Sequence, residues 1–444
     1  MDPIAERPPV PVRLLAGIAT VVVVAVVAAF FIARPFILPA PSTVEEAATK
    51  PAVGVLTFET LGANPRLEEF SEALRNDTVF ALSDLDTVSV LSPTVLDEEA
   101  MTSMTPMRTY AARGARFVVG GTIQSVTSGL RVSAHLIDTD TGKIGWVRRW
   151  ESKQEDWVSI QDEVVKALAA ELANPWSGRI TGLASDLANE GGDGTDAASH
   201  IMLGAQYFGT FEIEDLEQAE HHFRRALELE PQNGEAWAGL SFALGAMMPL
   251  VPPDDAKVLR GVRFDAGRQA HHSGKGNGRS MLAGSWTAAV RGNTEQLLKR
   301  MTGGAAKLSG DADALAMASL QAALVSELYD EAILWGEQAL AINEDPPAWH
   351  HLGVGIARYF QDDYGSAKEA LVKAPPAYPT TLIFLAASHI KAGEVDQAQA
   401  VMARLRMLHN QFTVKGFLDS VFIAPAAKVT KLRETLSAGG IPSD

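Results

Sequence analysis

Three pairs of adjacent histidines are the first candidates for metal chemistry: His221-His222, His271-His272 and His350-His351. Each pair lies in a segment with helical spacing, where neighbouring side chains point about 100° apart. That geometry places the two rings badly for holding one metal ion. A solvated helix surface or the lining of a groove accounts better for these pairs, and we predict no metal site.

Residues 273–280 (SGKGNGRS) invite comparison with a phosphate-binding loop. They lack the G-x-x-x-x-G-K-[ST] spacing and follow no predicted strand, so a loop between helices is the better interpretation. Asp138 and Asp140 lie in a Gly-containing turn without a run of further oxygen ligands, which favours a hairpin turn over a metal loop. We find no nucleophile elbow, His-Glu-x-x-His or dinucleotide-binding fingerprint. The prediction is a protein with no cofactor, no catalytic residues and no enzymatic activity of its own.

The composition limits the remaining function classes. The chain has 444 residues, a length that favours two or three domains. It contains no cysteine, which excludes disulfides, thiolate metal sites and a cysteine nucleophile. With 54 acidic and 38 basic residues the net charge is −16. We therefore expect no nucleic-acid binding, because phosphate contacts need a basic face.

An uncharged run of 20 residues, LLAGIATVVVVAVVAAFFIA, occupies positions 14–33. At about 1.5 Å per residue it would cross the roughly 30 Å hydrocarbon core of a bilayer. We predict a transmembrane helix over 14–34, after a short cytoplasmic tail at 1–13 and before a linker at 35–50. A cleaved signal peptide is the alternative, although its apolar region usually has only about 7–15 residues. The distribution of basic residues favours an inner-membrane, single-pass protein whose later domains are periplasmic.

Strand and helix patterns alternate over residues 51–175. β-branched runs predict strands at 51–58, 87–91, 116–124, 130–137 and 144–150. Helical spacing of apolar residues predicts helices at 66–82 and 156–172. A Gly- and acid-rich linker follows at 176–196. These elements predict an α/β domain.

A distinctive pattern runs through four stretches of this segment: PAVGVLTF (51–58), ARGARFVVGGTIQ (112–124), LRVSAHLIDTDTGKIGWVRRWE (130–151) and DWVSIQDEVVKALAAEL (156–172). They resemble the TolB amino-terminal-like domain found beyond the membrane span in many bacterial class III adenylate cyclases and in some membrane-bound transcription regulators. The resemblance implies a sensory or interaction domain rather than a catalytic one.

The chain beyond residue 196 is helical and repetitive. Small and aromatic residues recur at spacings that let two helices pack closely, and they define a packing signature: Ala219, Phe223, Ala226, Pro231, Trp237, Trp349, Leu352, Gly353 and Ala367. The steps from Ala332 to Ala367 and on to Ala398 are 35 and 31 residues. These steps are close to the roughly 34-residue period of tetratricopeptide (TPR) repeats.

We therefore predict TPR-type repeats over 197–415, forming about five helical hairpins with degenerate repeats at 252–310. A C-terminal capping helix and tail are expected at 416–444. The ending from Leu436 to Pro442 is similar to the end of the cyclase proteins that carry the same domain pair. In those cyclases the catalytic domain precedes the membrane span, and in the regulators a DNA-binding domain does. Only 13 residues precede the predicted span here, so neither activity is carried over.

A groove between stacked hairpins is the expected binding surface. Alignment of the repeats on their Trp or Leu anchors directs five polar or basic residues towards it: Gln206, Gln321, His350, Arg358 and Lys391. Such groups could hold a peptide backbone or a carboxylate. The alternative is that the array only extends a domain interface.

The fold class predicted is multidomain, with a single transmembrane helix, then a TolB-like α/β domain, then an all-α TPR solenoid. The predicted function is a membrane-anchored periplasmic scaffold or sensor that binds a protein or peptide partner. One alternative is the sensory half of an adenylate cyclase-type receptor that acts in trans on a membrane-bound effector. Another is a truncated or misannotated cyclase or transcription regulator.

Overall fold

The structure is a computed structural model that describes residues 51–441, apart from residues 63, 84–87, 92–109, 112, 128, 154–156, 174–179, 181–196, 309, 343–345 and 411. The described residues form 16 helices and a small mixed sheet. Residues Lys50–Asp444 belong to one compact unit. The predicted segments 1–13, 14–34 and 35–50 lie outside the described residues, as does nearly all of the linker 176–196.

The sheet has six strands: β1 (Ala52–Val55), β2 (Glu59–Leu61), β3 (Ser89–Val90), β4 (Ala115–Val126), β5 (Gly129–Asp138) and β6 (Ile144–Lys153). Their order is β3-β1-β4-β5-β6, and β2 pairs with β4. β1 runs parallel to β3 and β4, whereas β4, β5 and β6 form an antiparallel meander. Two helices, α1 (Pro65–Ser83) and α2 (Trp157–Ala173), supply apolar side chains to the core of this sheet. Trp146 and Trp150 belong to that core.

The turn between β5 and β6 is organised by Asp138. Its Oδ1 accepts hydrogen bonds from the backbone N–H groups of Asp140 (2.9 Å) and Thr141 (3.0 Å). Its Oδ2 lies 2.7 Å from an Nη atom of Arg116. Gly142 has φ +67°, which glycine adopts without a steric penalty. The Asp138 carboxylate therefore holds a hairpin turn, as the sequence indicated.

Twelve helices form six consecutive pairs beyond residue 196: α3 (Ala197–Phe208), α4 (Ile213–Leu229), α5 (Gly234–Met247), α6 (Pro253–Ser273), α7 (Gly278–Val290), α8 (Thr294–Lys307), α9 (Ala312–Val325), α10 (Tyr329–Ile342), α11 (His351–Phe360), α12 (Tyr364–Lys373), α13 (Pro379–Lys391) and α14 (Val395–Leu408). The 3₁₀ turn Ala348–His350 precedes α11. Two further helices follow, α15 (Val414–Ser420) and α16 (Ala426–Ala438). The degenerate stretch 252–310 forms α6, α7 and α8, so the described array has six pairs rather than about five.

Asn and Asp side chains begin several of these helices. Asn233, Asn277 and Asn293 each accept a hydrogen bond at 3.0 Å from the backbone N–H three residues later. Asp311 and Asp363 do the same for α9 and α12. Such N-caps satisfy backbone donors that have no partner inside the helix. These side-chain N-caps therefore determine where the helices begin.

Three helices pack closely around Phe223 on α4. Its ring is fully buried and lies against Gly204 of α3 and Gly239 of α5. A Cβ atom added at Gly239 would lie 2.3 Å from the ring, and one at Gly204 would lie 2.9 Å from it. Glycine at these two positions therefore leaves the space that the Phe223 ring fills.

An aromatic cluster joins the start of the array to its later part. The ring of Phe211, after α3, stacks on Trp349 with centroids 5.5 Å apart and meets Tyr378 edge-on at 5.0 Å. The hydroxyl of Tyr378 donates a hydrogen bond to the carbonyl of Ala246 in α5 at 2.9 Å. These contacts cross more than a hundred residues of sequence and close the array on itself.

The C-terminal segment folds back onto the array. Arg260 donates to the carbonyl of Ser420 at 2.9 Å, and the backbone N–H of Ala424 donates to the carbonyl of Leu324 at 2.9 Å. The hydroxyls of Tyr359 and Thr435 are hydrogen-bonded at 3.1 Å. α16 thus packs on α9, α11 and α13, and part of the inner surface of the array is covered by the chain itself.

The predicted membrane helix and the inner-membrane, single-pass location have to be corrected. Among the described residues, no helix combines the length and the apolar character needed to cross a bilayer. Only α1 and α6 are longer than 18 residues, and both carry several charged side chains. The described fold is a mostly helical chain with a small sheet.

Lys428 on α16 is buried at the C-terminal end of α9. Its ammonium donates to the carbonyls of Ala323 (2.7 Å) and Ser326 and lies 4.8 and 4.9 Å from the ring centroids of Tyr329 and Phe360. Burial lowers the pKa of Lys428 to about 7, with Glu327 opposing the shift. Because the folded pKa lies below the unfolded value, the folded state releases this proton first, and stability should rise with pH above about 7.

We expect Lys428→Met to remove this pH dependence. The free energy of unfolding of the wild type minus that of the variant should rise with pH between pH 7.5 and 9.5, by at most about 1.4 kcal/mol per pH unit. Urea unfolding at several pH values measures the difference. A difference that stays constant with pH would show that the two carbonyls and aromatic rings keep the ammonium charged.

Candidate binding cleft

A cleft opens inside the helical array, between helices of the first four pairs and the sixth. Its walls are mostly aromatic or aliphatic, and include Phe208, Phe242, Trp286, Leu320, Leu324 and Phe422. The cavity volume between the lining residues is about 50 Å³. Walls that are largely apolar with a few polar groups are typical of ligand sites, but the volume is below the roughly 300–1,000 Å³ of small-molecule pockets.

Arg263 on α6 supplies the charge of the cleft. Its guanidinium lies over the indole of Trp286, 3.9 Å from the ring centroid. It also lies against Gly245, where an added Cβ would be 2.6 Å from Cζ. Within the described part of the chain Arg263 has no carboxylate partner, and its buried Nε makes no hydrogen bond. Trp286 and Gly245 thus position a cation that no acidic residue of the described ranges neutralises.

The surroundings of Arg263 disfavour the protonated, charged form of its guanidinium. Burial lowers the pKa of its guanidinium to about 9; Tyr378 opposes this shift and the nearby Arg260 adds to it. At pH 7 the group is still protonated, so its desolvation is a free-energy cost in the folded state. An anion bound in the cleft would offset that cost.

Gln321 on α9 is the second polar group of the cleft. It is 3% exposed, and its side-chain amide lies 3.0 Å from Ser285 Oγ. Ser285 Oγ donates its one proton to the carbonyl of Leu282 at 2.7 Å. The amide is therefore satisfied when its Nε2 donates to Ser285 Oγ and its Oε1 faces the cleft.

Of the five predicted groove residues, Gln321 is the one that lines this cleft. His350 is fully buried, and its Nε2 lies 2.8 Å from Asp313 Oδ1. Gln206 is exposed on α3. Arg358 forms ion pairs with Glu337 and Asp363. Lys391 is exposed beside α16, in a depression lined also by Lys431.

A buried group of charges lies near His350. Arg279 on α7 pairs with Glu235 (3.2 Å) and with Asp311, and its side chain is 3% exposed. Burial alone would lower the pKa of Arg279, but the surrounding carboxylates outweigh it and raise the pKa. This network joins α5, α7 and the beginning of α9. Its role is therefore to hold these helices together.

The other candidates for chemistry occupy helix ends and surfaces. Residues 274–277 connect α6 to α7, and Asn277 caps α7, so the Gly-rich stretch is a loop between helices. His222 Nδ1 lies 3.0 Å from His200 Nδ1, not from its neighbour His221. In the described ranges no three His, Asp or Glu side chains converge as metal ligands would.

The sequence alone does not identify Arg263 and Trp286 as cleft residues. Both lie in the stretch 252–310, where the repeat signature is too degenerate to align helices on an anchor. The sequence feature that could have indicated them is an arginine between apolar helix positions together with a tryptophan in the next helix. That signal becomes specific only when the packing of α6 against α7 is known.

The chain is similar to known proteins over part of its length and at low sequence identity. No family model matches the chain. It is 25% identical over 195 residues to "Putative adenylate cyclase 3" of Rhizobium meliloti (strain 1021), a match that covers 43% of this chain and 32% of the relative. The chain thus matches about one third of the length of that relative.

Two solved structures are similar over parts of the chain. TolB from Acinetobacter baumannii is 15% identical, with a TM-score of 0.21, over 29% of this chain and 30% of TolB. The Pseudomonas aeruginosa pilF structure is 18% identical, with a TM-score of 0.28, over 52% of this chain and 95% of that chain. With TM-scores this low, these likenesses carry no weight for function. The similarity to a cyclase-named protein agrees with the resemblance seen in the sequence, without identifying which part of the cyclase is matched.

Proposed function

We propose that this chain is a binding protein without catalytic activity of its own, whose helical array holds a protein or peptide partner. The observation that carries the proposal is the cleft, where the Nε of Arg263 is buried between aromatic walls without a hydrogen-bond partner among the described residues. Buried polar groups are normally satisfied, so an unsatisfied guanidinium in the cleft favours a partner that supplies an acceptor. The packing signature from Ala219 to Ala367 would then serve to hold the helices that form the cleft.

A photo-crosslinking amino acid in place of Leu320, in the cleft, tests this proposal in the native host. We expect a discrete adduct that disappears when Arg263→Gln is added. The control carries the crosslinker in place of Val372, which is 68% exposed on α12. Circular dichroism shows whether each variant folds. Identical adducts from both positions, or adducts that do not depend on Arg263, would contradict binding in the cleft.

The cyclase relative favours a second candidate, a regulatory chain that acts in trans on a separate cyclase-type effector. The purified chain, given ATP with Mg²⁺ or Mn²⁺, should then form no cyclic AMP alone. It should change the rate of a cyclase from the same organism when the two are mixed. Cyclic AMP formed by the chain alone would refute both proposals and make the chain an enzyme.

A further inference from the structure

The last strand of the sheet offers a second surface, separate from the cleft around Arg263. β6 (Ile144–Lys153) is ten residues long and stands at the end of the strand order. Among the described residues its strand neighbour is β5 alone, so one row of its backbone N–H and C=O groups faces away from the sheet. We propose that this row, which we call the β6 edge, pairs with an extended acidic segment of a partner protein.

The β6 edge is regular along most of its length. The pairing of β5 with β6 runs without a break from Gly129 opposite Lys153 to Leu136 opposite Trp146. The register shift in this pair lies at the hairpin end, between Leu136 and Ile137. Bulges inside an edge strand bend it and turn its backbone groups away from a new partner. Because β6 has none over this stretch, its outer row can take an added strand as other sheet edges that bind peptides do.

The charge of the partner follows from the side chains of β6. The strand carries three basic residues and one acidic residue, within a chain whose net charge is −16. The acidic residue, Glu151, is paired with Arg131 of β5 at 2.7 Å. Arg149 is exposed and lies two residues before Glu151, on the same face of the sheet. Opposite charges that face each other across a strand pair attract, so an acidic side chain is the favoured neighbour of Arg149.

The two faces of β6 favour a partner strand whose side chains alternate. Trp146 and Trp150 lie on the face that α1 and α2 cover, with ring centroids 6.2 Å apart. On the other face Val147 is 64% exposed next to Arg149. Aromatic side chains pair well with β-branched residues on a neighbouring strand. We therefore expect β-branched residues on the tryptophan face of the added strand and acidic residues on the Arg149 face.

A second copy of this chain is a poor occupant of the β6 edge. Antiparallel pairing of two β6 strands about their centre would place Arg148 of one copy opposite Arg149 of the other. Like charges at directly opposite positions destabilise a strand pair, and charged residues on edge strands are a common means of preventing self-association. The same arginines that disfavour a second copy attract an acidic strand.

Fluorescence anisotropy with the full chain tests the proposal. The labelled probe is acetyl-Thr-Val-Glu-Val-Thr-Val-Glu-Val-Thr-amide, and two matched peptides carry Gln or Lys in place of both Glu residues. We expect the Glu peptide to bind about two- to fivefold more tightly than the Gln peptide. It should bind at least about fivefold more tightly than the Lys peptide, because like charges would then face each other at Arg149.

Backbone N-methylation separates strand pairing from charge attraction alone. One version of the Glu peptide is N-methylated at its Val residues, and another at its Glu residues and central Thr. The N–H groups of successive residues in a strand point to opposite sides, so only one of the two sets faces the β6 edge. We expect one version to bind at least about tenfold more weakly than the parent through lost hydrogen bonds, and the other to bind within about threefold of it.

Arg149→Glu locates the site. The side chain is exposed, so the variant should fold, which circular dichroism checks. It should weaken binding of the Glu peptide at least about threefold and strengthen binding of the Lys peptide. The matched control is Arg225→Glu, because Arg225 is exposed on α4, where it pairs with Glu228. This control changes the net charge equally and should bind all three peptides like the wild type.

Several results would overturn the proposal. It is wrong if the three peptides bind equally, if Arg149→Glu binds like the wild type, or if both methylated versions bind like the parent. A concentration-dependent dimer in sedimentation experiments that the Glu peptide dissociates would assign the β6 edge to a second copy instead. None of these results affects the crosslink from position 320, which tests the cleft separately.

Discussion

Phe223→Ala is expected to lower the free energy of unfolding by about 3–5 kcal/mol. The Phe223 ring is fully buried between Gly204 on α3 and Gly239 on α5. Neither glycine has a side chain that could move into the space left by the ring, so the cavity would stay largely open. Chemical denaturation followed by circular dichroism measures the loss.

Phe80→Ala is the matched control, because Phe80 is 77% exposed on α1. Its truncation should change the free energy of unfolding by less than about 0.5 kcal/mol. If the two variants lost similar stability, the packing of α4 against α3 and α5 would not be the tight contact that the structure shows.

The packing around Phe223 could be predicted from the sequence, because it depends on residues that are close together in the chain. Small residues at Ala219 and Ala226 stand one turn from the aromatic ring, so spacing alone indicates which face of α4 is buried. The glycines on the neighbouring helices follow from the same repeat. The meander β4–β6 was equally accessible, since alternation and a Gly turn are short-range signals, whereas β2 (Glu59–Leu61) was not predicted.

The contacts of polar residues were harder to predict from the sequence. His350 was assigned to the groove by its position after Trp349, but it is buried beside Asp313, which is 37 residues earlier in the chain. Arg358 likewise pairs with Glu337 and Asp363. Which carboxylate a basic residue meets depends on how successive hairpins stack, and repeat spacing does not specify that.

The C-terminal segment changes what the array can bind. A solenoid of open hairpins would offer a long groove to an extended peptide. Here α16 packs onto α9, α11 and α13, and Phe211 joins the first helix pair to Trp349. These contacts cover part of the groove that an open array of hairpins would offer to an extended strand.

Arg279→Met is expected to destabilise the protein by about 3–5 kcal/mol, because it leaves the buried carboxylate of Asp311 and the partly buried one of Glu235 without their cation. Arg268→Met is the matched control, since Arg268 pairs with Asp265 on the surface of α6. An exposed pair of this kind contributes about 0–1 kcal/mol. Urea unfolding at pH 7 compares the two variants.

The pH dependence of Arg279→Met separates lost charge pairing from lost packing. Burial raises the pKa of Asp311, Arg279 opposes the shift, and Asp313 adds to it. Without Arg279 this pKa should rise further, so the folded state would hold a proton that the unfolded state has released. Stability of the variant should therefore fall as pH rises from 5 to 7, and its deficit against the wild type should be smaller at pH 5.

Asp311→Asn, added to Arg279→Met, tests the loss of charge pairing by changing Asp311, the other member of the ion pair. Asparagine keeps an oxygen that can cap α9 at Ala314, as Asp311 Oδ1 does, but removes one buried negative charge. The double variant should therefore recover part of the lost stability at pH 7 and lose much of the pH dependence. If it were instead less stable than Arg279→Met alone, the charge of Asp311 would be stabilised by groups other than Arg279, and the loss of the Arg279–Asp311 charge pair would not explain the effect of Arg279→Met.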